Sequence, residues 1–135
     1  MTPIETVEEI YAAFEAKDLD RALELLSEDC VIDQDGRLPY GGHYEGRDGA
    51  ATFMINLVST IDSAVERLAL FEADTYVWQY GRTAGTVRAN GAPFDIAEVH
   101  RWTVRDGLAV AAHFSIDTPG MLAAIEAPGG PHDHG

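Results

Sequence analysis

A glutamate and a histidine stand two residues apart in the segment FDIAEVHRW, which covers residues 94–102. Large apolar residues alternate with other residues along this segment, which is the pattern of a β-strand with one buried face. Glu98 and His100 share that face with the apolar side chains, although an isolated buried charge is costly. The pair therefore predicts either an acid–base site, because imidazole titrates near neutral pH, or an internal pair satisfied by partners.

A positively charged residue occurs in the strand predicted over residues 75–88. Alternation places Arg82 on one face with aromatic residues that include Trp78. We predict that this face lines a tapering pocket. Arg82 would then either bind a carboxylate or enolate of a substrate or neutralise Glu98, because an unpaired buried charge is destabilising.

A glycine-rich segment over residues 33–47 is predicted to be a long loop. It carries Tyr40 and His43. Loops of this length in a compact domain are often functional, so the segment could close over a pocket as a lid. The alternative is a solvated loop with aromatic anchors.

Composition limits the class of protein. The chain has 135 residues and is 46% hydrophobic, which suits one domain, predicted over residues 1–127, with a disordered tail over 128–135. The net charge of −14 argues against nucleic acid or an anionic membrane as a partner and favours neutral or cationic small ligands. With the single Cys30 and no secretory pattern at the N-terminus, we predict a cytoplasmic location.

Metal and cofactor binding are not predicted. His43, Glu98, His100 and His113 have no metal-ligand spacing, and no phosphate loop or dinucleotide-binding motif occurs. We therefore expect chemistry without a cofactor. Strand alternation turns His113 to the outer face of the sheet, where small residues suit a dimer contact.

The periodicity changes along the chain from helical to strand-like. A capping box formed by Thr2 and Glu5 starts the first helix, Asp18 caps a second that ends near Ser27, and a third covers residues 50–61. A short strand is expected at residues 30–32. Four strands follow near residues 64–72, 75–88, 94–105 and 108–117, with turn signals at Asn90-Gly91 and Asp106-Gly107 and a last helical turn at 121–125.

Three helices followed by a strand meander predict an α+β domain, in which an antiparallel sheet must curl around the helices to bury their apolar faces. The order resembles the nuclear transport factor 2-like superfamily, in particular its SnoaL-like and ketosteroid isomerase-like branch. The resemblance is carried, over most of residues 10–117, by three segments: AKDLDRALELLSEDCVID, GGHYEGRDGAATFM and FDIAEVHRWTVRDGLAVAAHFSID. It implies a cone-shaped curved sheet wrapped over three N-terminal helices, a pocket at the open end, and homodimers joined through the outer sheet face.

The resemblance also suggests roles for single residues. Glu98 stands where ketosteroid isomerases hold an aspartic acid that stabilises an oxyanion. In those enzymes, the known example of such pKa tuning, an apolar site keeps this acid protonated. The isomerase base falls at Gln34, and a one-residue shift would turn Asp33 or Asp35 inward instead. Tyr11 lies one residue from the position of the family's donor tyrosine and could equally be a core residue.

These observations predict a hydrophobic small-molecule pocket. The expected chemistry is a cofactor-free isomerisation, cyclisation or dehydration of a hydrophobic carbonyl compound, with Glu98 or Arg82 stabilising an enol-like state and His100 or Asp33 moving the proton. The alternatives are a non-catalytic binding module for a hydrophobic metabolite and a dimeric scaffold. The catalytic candidates are Glu98, His100 and Asp33. The substrate-binding candidates are Tyr11, Phe14, Tyr40, His43, Phe53, Trp78, Arg82, Trp102 and Phe114.

Overall fold

The computed structural model describes residues 1–128 and has an α+β fold, in which four helices accompany a curved, mixed sheet of six strands. The elements in chain order are α1 (Pro3–Glu15), α2 (Leu19–Glu24), β1 (Leu26–Gln34), β2 (Gly42–Glu45), α3 (Gly46–Thr60), β3 (Ile61–Ala73), β4 (Tyr76–Val87), β5 (Pro93–Arg105), β6 (Leu108–Ile116) and α4 (Thr118–Glu126). Seven residues of the predicted disordered tail, 129–135, lie outside the described residues. Within the described part of the chain, no helix is long and apolar enough to cross a membrane.

Local capping chemistry sets the start of the N-terminal helices. The Thr2 hydroxyl accepts a hydrogen bond from the Glu5 backbone, and the Glu5 carboxylate accepts one from the Thr2 backbone, so both halves of the predicted capping box are present. Asp18 caps α2 through the backbone of Arg21. These predictions are confirmed, because a cap depends only on residues three positions apart.

The sheet order is β2-β1-β6-β5-β4-β3, and the pairing of β1 with β6 is parallel while the other pairs are antiparallel. The prediction of a purely antiparallel sheet is therefore wrong at this one pair. The segment 33–47 is also shorter as a loop than predicted, because β1 continues to Gln34 and β2 covers Gly42–Glu45. β2 pairs back onto β1, and such pairing between strands is a tertiary property that alternation does not reveal.

The turns between the later strands follow residue type. Asp106 and Gly107 both have positive φ angles, 52° and 76°, as the predicted tight hairpin between β5 and β6 requires. Asn90, in the turn before β5, donates side-chain hydrogen bonds to the carbonyls of Ala124 and Ala127. These bonds hold α4 against the sheet, and α4 is longer than the helical turn predicted there.

Candidate functional site

A cavity of about 610 Å³ lies between the inner face of the sheet and helices α1 and α3. Its wall is mostly apolar, and both Glu98 and His100 line it. Six of the predicted substrate-binding residues also line it: Tyr11, Phe14, Tyr40, Phe53, Trp102 and Phe114.

Glu98 is the buried acid of this cavity, with its side chain only 2% exposed. It lies on β5, where burial alternates from Pro93 to Trp102, so the residues that share its face in this part are buried as well. The Gln79 amide on β4 donates a hydrogen bond to Oε2 of Glu98 at 2.5 Å. Burial raises the pKa of Glu98 to about 7, and this hydrogen bond lowers it in part because it favours the ionised form. The carboxyl group is therefore poised to gain or lose a proton near neutral pH.

His100 is held by a hydroxyl group from α1. The Tyr11 hydroxyl oxygen lies 2.6 Å from Nδ1 of His100, and Nε2 of Gln79 lies 3.3 Å from the same nitrogen. The Tyr11 oxygen accepts from the indole N–H of Trp102 at 3.1 Å, so the Tyr11 proton is free to go to His100. Both neighbours of Nδ1 thus present hydrogens, which makes Nδ1 an acceptor and places the proton of the neutral ring on Nε2.

The Nε2 side of His100 faces the acid. Nε2 lies 3.5 Å from Oε1 of Glu98, and both groups border the cavity. Burial lowers the pKa of His100 to about 3, so the ring stays neutral at physiological pH. The site therefore presents a carboxyl group that can exchange a proton and a neutral N–H that can donate a hydrogen bond.

Aromatic rings form the wall beside this pair. The Phe114 ring centre lies 4.6 Å from that of His100, 5.4 Å from that of Trp102 and 5.5 Å from that of Phe53. Edge-to-face and tilted contacts at such distances favour a fixed arrangement of rings. A flat apolar ligand is the shape that such a wall accommodates.

The strand register places four inner-face residues in one row across the sheet. Gln34 on β1 pairs with Phe114 on β6, which pairs with His100 on β5, which pairs with Gln79 on β4. The row brings Gln34 to the cavity wall, and Asp33 points to the other face.

Two predicted residues of β4 lie on the wrong face for the cavity. The buried residues of this strand are all odd-numbered, so Trp78 and Arg82 are on the outer face. They are Val77, Gln79, Gly81, Thr83 and Val87. Arg82 forms an ion pair with Asp95 at 2.7 Å and is not a partner of Glu98. Trp78 donates its indole N–H to the Ala73 carbonyl. The prediction that these two residues line the pocket is wrong. The aromatic residues of β4 are Tyr76, Trp78 and Tyr80, all on the outer face, and a cluster of aromatic side chains on one face of a strand does not show that this face meets the core.

The predicted roles of Asp33 and His43 are also contradicted by their positions. Nδ1 of His43 lies 2.6 Å from Asp33 and Nε2 lies 3.2 Å from Glu45, in an exposed cluster away from the residues that line the cavity. The pKa of His43 is raised, first by its hydrogen bond with Asp33. The shift that would have turned Asp33 inward does not occur, because the parallel register of β1 with β6 places Gln34 on the inner face.

Gln79 is the residue beside Glu98 and His100 that the sequence analysis missed. It is completely buried and lies within hydrogen-bond distance of Glu98, His100 and Tyr11. One signal was available: a polar residue alternating with Val77 on a strand is unusual unless it has a buried partner. Among residues 1–128, no group of three His, Cys, Asp or Glu side chains is arranged to hold a metal ion.

The chain belongs to the SnoaL-like domain family, whose model matches residues 7–112. With this cavity, it is a small-molecule pocket protein at the level of the family. The comparison with curated proteins finds no significant match.

Solved structures confirm the nuclear transport factor 2-like fold. An NTF2-like protein of unknown function from Burkholderia pseudomallei K96243 is 28% identical, with a TM-score of 0.85 over 94% of this chain and 100% of that one. TerC, co-crystallised with polyporic acid, is 24% identical, with a TM-score of 0.83 over 93% and 98% of the two chains. A protein with a ketosteroid isomerase-like fold from Catenulispora acidiphila DSM 44928, in complex with trimethylamine, is 17% identical, with a TM-score of 0.79 over 95% and 96%.

Proposed function

We propose that this protein is a cofactor-free enzyme that moves a proton next to the carbonyl group of a hydrophobic small molecule. The observation that carries the proposal is the pair of Glu98 and His100 on the wall of a mostly apolar cavity. One group can exchange a proton near pH 7 and the other offers a fixed hydrogen-bond donor 3.5 Å away. Proton transfer next to a carbonyl needs these two functions together.

Glu98 is the proton carrier in this proposal. Its ionised form removes a proton from the carbon next to the carbonyl, and its protonated form then returns the proton to the substrate. Return to another carbon gives an isomerisation, and transfer to a leaving hydroxyl group gives a dehydration. A carboxyl group with a pKa of about 7 suits both directions, because acid–base catalysis is most efficient when the pKa is near the working pH.

His100 is the hydrogen-bond donor to the substrate oxygen. Its Nε2 lies 3.5 Å from Oε1 of Glu98 at the cavity wall, and a neutral imidazole can stabilise the negative charge that develops on an enolate oxygen. The role of proton carrier does not suit His100, because its pKa is lowered to about 3 and Nδ1 already accepts from Tyr11. The structurally similar TerC was crystallised with polyporic acid, which supports a small organic molecule as the ligand of this chain.

Hydrogen–deuterium exchange tests the proposal without knowledge of the natural substrate. Acetophenone is a simple hydrophobic ketone, and proton NMR in D₂O follows the exchange of its methyl protons. We expect wild-type protein to accelerate the exchange and Glu98→Gln to lose at least about 100-fold of that acceleration. The matched control is Asp33→Asn, which removes an exposed acid outside the cavity and should exchange at the wild-type rate.

Two outcomes would overturn the catalytic proposal. Equal exchange by wild type and Glu98→Gln would show that the acid does not carry the proton. Binding of acetophenone without accelerated exchange at any pH from 5 to about 9, a range that spans the pKa of Glu98, would identify a binding module instead.

We further propose that the protein forms a homodimer through the outer face of the sheet. Tyr80 and Val99 are neighbours across β4 and β5 on this face and are 45% and 38% exposed. Paired apolar side chains left in water are typical of a surface that another protein covers. The free, buried Cys30 is compatible with the cytoplasmic location that we also propose.

A further inference from the structure

The side-chain amide of Gln34 is buried at the cavity wall without a protein partner. Gln34 ends β1, is 8% exposed and lines the cavity. Its Nε2 is fully buried and makes no hydrogen bond to any residue in the described part of the chain. Buried polar groups almost always have a partner, and leaving one unpaired is destabilising. Because Gln34 lines the cavity, rotation about the last bond of its side chain would present the amide to a ligand there.

Gln34 and His100 lie on the same side of the sheet with Phe114 between them. Gln34 pairs with Phe114 across β1 and β6, and Phe114 pairs with His100 across β6 and β5. Neighbouring strands are about 4.8 Å apart, so the backbones of Gln34 and His100 are roughly 10 Å apart. The Phe114 ring occupies the space between the two polar groups, 4.6 Å from the imidazole between ring centres.

We propose that the ligand is a flat ring compound with two oxygen functions at opposite ends. One oxygen, the carbonyl, accepts from Nε2–H of His100 beside Glu98. The other, a hydroxyl or second carbonyl, pairs with the Gln34 amide, and the ring between them lies against Phe114. An amide both donates and accepts after rotation about its last bond, so it matches either oxygen function. This inference rests on the proposed function for the position of the reacting carbonyl, and it makes Gln34 a specificity-determining residue.

A matched set of ketones tests the spacing. Acetophenone carries one oxygen, para-hydroxyacetophenone carries a second at the opposite end of the ring, and ortho-hydroxyacetophenone carries it beside the carbonyl. We expect the wild-type protein to bind the para isomer about threefold to tenfold more tightly than acetophenone, as one added neutral hydrogen bond allows. The ortho isomer should show no such gain. Titration calorimetry or ligand NMR gives the dissociation constants.

The variant Gln34→Met removes the amide and keeps the length of the side chain. We expect it to bind acetophenone as the wild type does and to lose the preference for the para isomer. Its free energy of unfolding should not fall, because the amide has no partner in the described part of the chain. Binding measured in Glu98→Gln separates this inference from catalysis, since that variant should keep the para preference while it loses exchange.

Several results would overturn the inference. They are equal affinity of the wild type for para-hydroxyacetophenone and acetophenone, an equal gain for the ortho isomer, and a para preference that survives in Gln34→Met. If Gln34→Met does not fold, the wild-type ranking of the three ketones still decides the matter. If the wild type prefers the para isomer but does not accelerate exchange, only the proposed catalysis is contradicted. If the wild type accelerates exchange but shows no para preference, only the role of Gln34 is contradicted.

Discussion

The hydroxyl oxygen of Tyr11 lies 2.6 Å from Nδ1 of His100, although the two residues are 89 positions apart in the chain. This contact ties α1 to β5 at the wall of the cavity. Because Trp102 donates to the same Tyr11 oxygen, the hydroxyl proton is directed to the imidazole. The helix thereby determines which nitrogen of His100 carries the proton that faces Glu98.

Removal of this hydroxyl group should affect both stability and the histidine. Tyr11→Phe leaves the indole N–H of Trp102 without its partner and removes the shorter of the two contacts to Nδ1 of His100, so we expect the free energy of unfolding to fall by about 1–3 kcal/mol. Urea unfolding measures the change. Nitrogen NMR of the imidazole should show a loss of the single Nε2–H tautomer.

Tyr40→Phe is the matched control, since Tyr40 is also a buried cavity tyrosine and its hydroxyl has no hydrogen bond within residues 1–128. The loss of stability should be clearly smaller there. Equal losses in the two variants would show that the Tyr11 hydrogen bonds do not matter.

The rate of ketone exchange should depend on the ionisation of Glu98. A general base must be deprotonated, and the pKa of Glu98 is raised to about 7 by burial. We therefore expect the acceleration to rise with pH and to level off above an apparent pKa of about 7. NMR exchange rates at a series of pH values check this profile, and a rate that instead falls through pH 7 would identify the protonated form as the active one.

Gln79 should hold the pKa of Glu98 lower than burial alone would allow. Its amide donates to the carboxylate, which favours the ionised form. Gln79→Met should therefore move the apparent pKa of exchange upward. Arg82→Gln is the control, because Arg82 pairs with Asp95 on the outer face and its loss should leave the profile unchanged. An upward shift in the control or a downward shift in Gln79→Met would refute this account.

Stability should change with pH in opposite directions for the two buried groups. The pKa of Glu98 is 4.5 ordinarily and about 7 in the folded protein, so its neutral form stabilises the fold fully below pH 4.5 and this stability is lost as pH rises to 7. At about 1.4 kcal/mol per pKa unit, Glu98→Gln should be more stable than the wild type by about 3 kcal/mol above pH 7. Below pH 4.5 the difference should vanish.

His100 acts in the opposite sense. Its pKa is lowered from 6.5 to about 3, so the unfolded chain takes up a proton first and stability is lost as pH falls below 6.5. Between pH 4.5 and 6.5 the two effects cancel in the wild type. Denaturant unfolding across this range should therefore show a steeper rise of stability with pH in Glu98→Gln than in the wild type. Parallel curves for the two proteins would contradict the buried, perturbed acid.

The outer face offers a test of the proposed dimer. Val99→Glu places a charge beside Tyr80 on this face, and association would have to desolvate that charge. Sedimentation should show a dimer for the wild type and a monomer for the variant, with unchanged ketone binding. Glu45→Gln, a change at an exposed position in β2, should remain dimeric. A wild-type monomer at micromolar concentration would refute the dimer.

Much of the fold was predictable because it depends on near neighbours in the chain. The capping box at Thr2, the hairpin at Asp106-Gly107 and the shared face of Glu98 and His100 all follow from residues a few positions apart. Each local geometry allows few alternatives, so residue type and spacing were sufficient. The same spacing carried the resemblance to the SnoaL-like family.

Only the tertiary structure decided which side chains lie beside Glu98 and His100. Alternation shows that two faces of β4 differ, but only packing against α1 shows that Gln79 faces inward and Arg82 outward. The parallel register of β1 with β6 likewise turns Gln34, and not Asp33, to the cavity. These choices depend on which distant segments bury the most apolar surface together, and no local pattern contains that information. The sequence by itself therefore determined the acid and the histidine and offered Tyr11 and Gln34 as neighbours. The folded chain added Gln79 and decided which of these side chains contact one another.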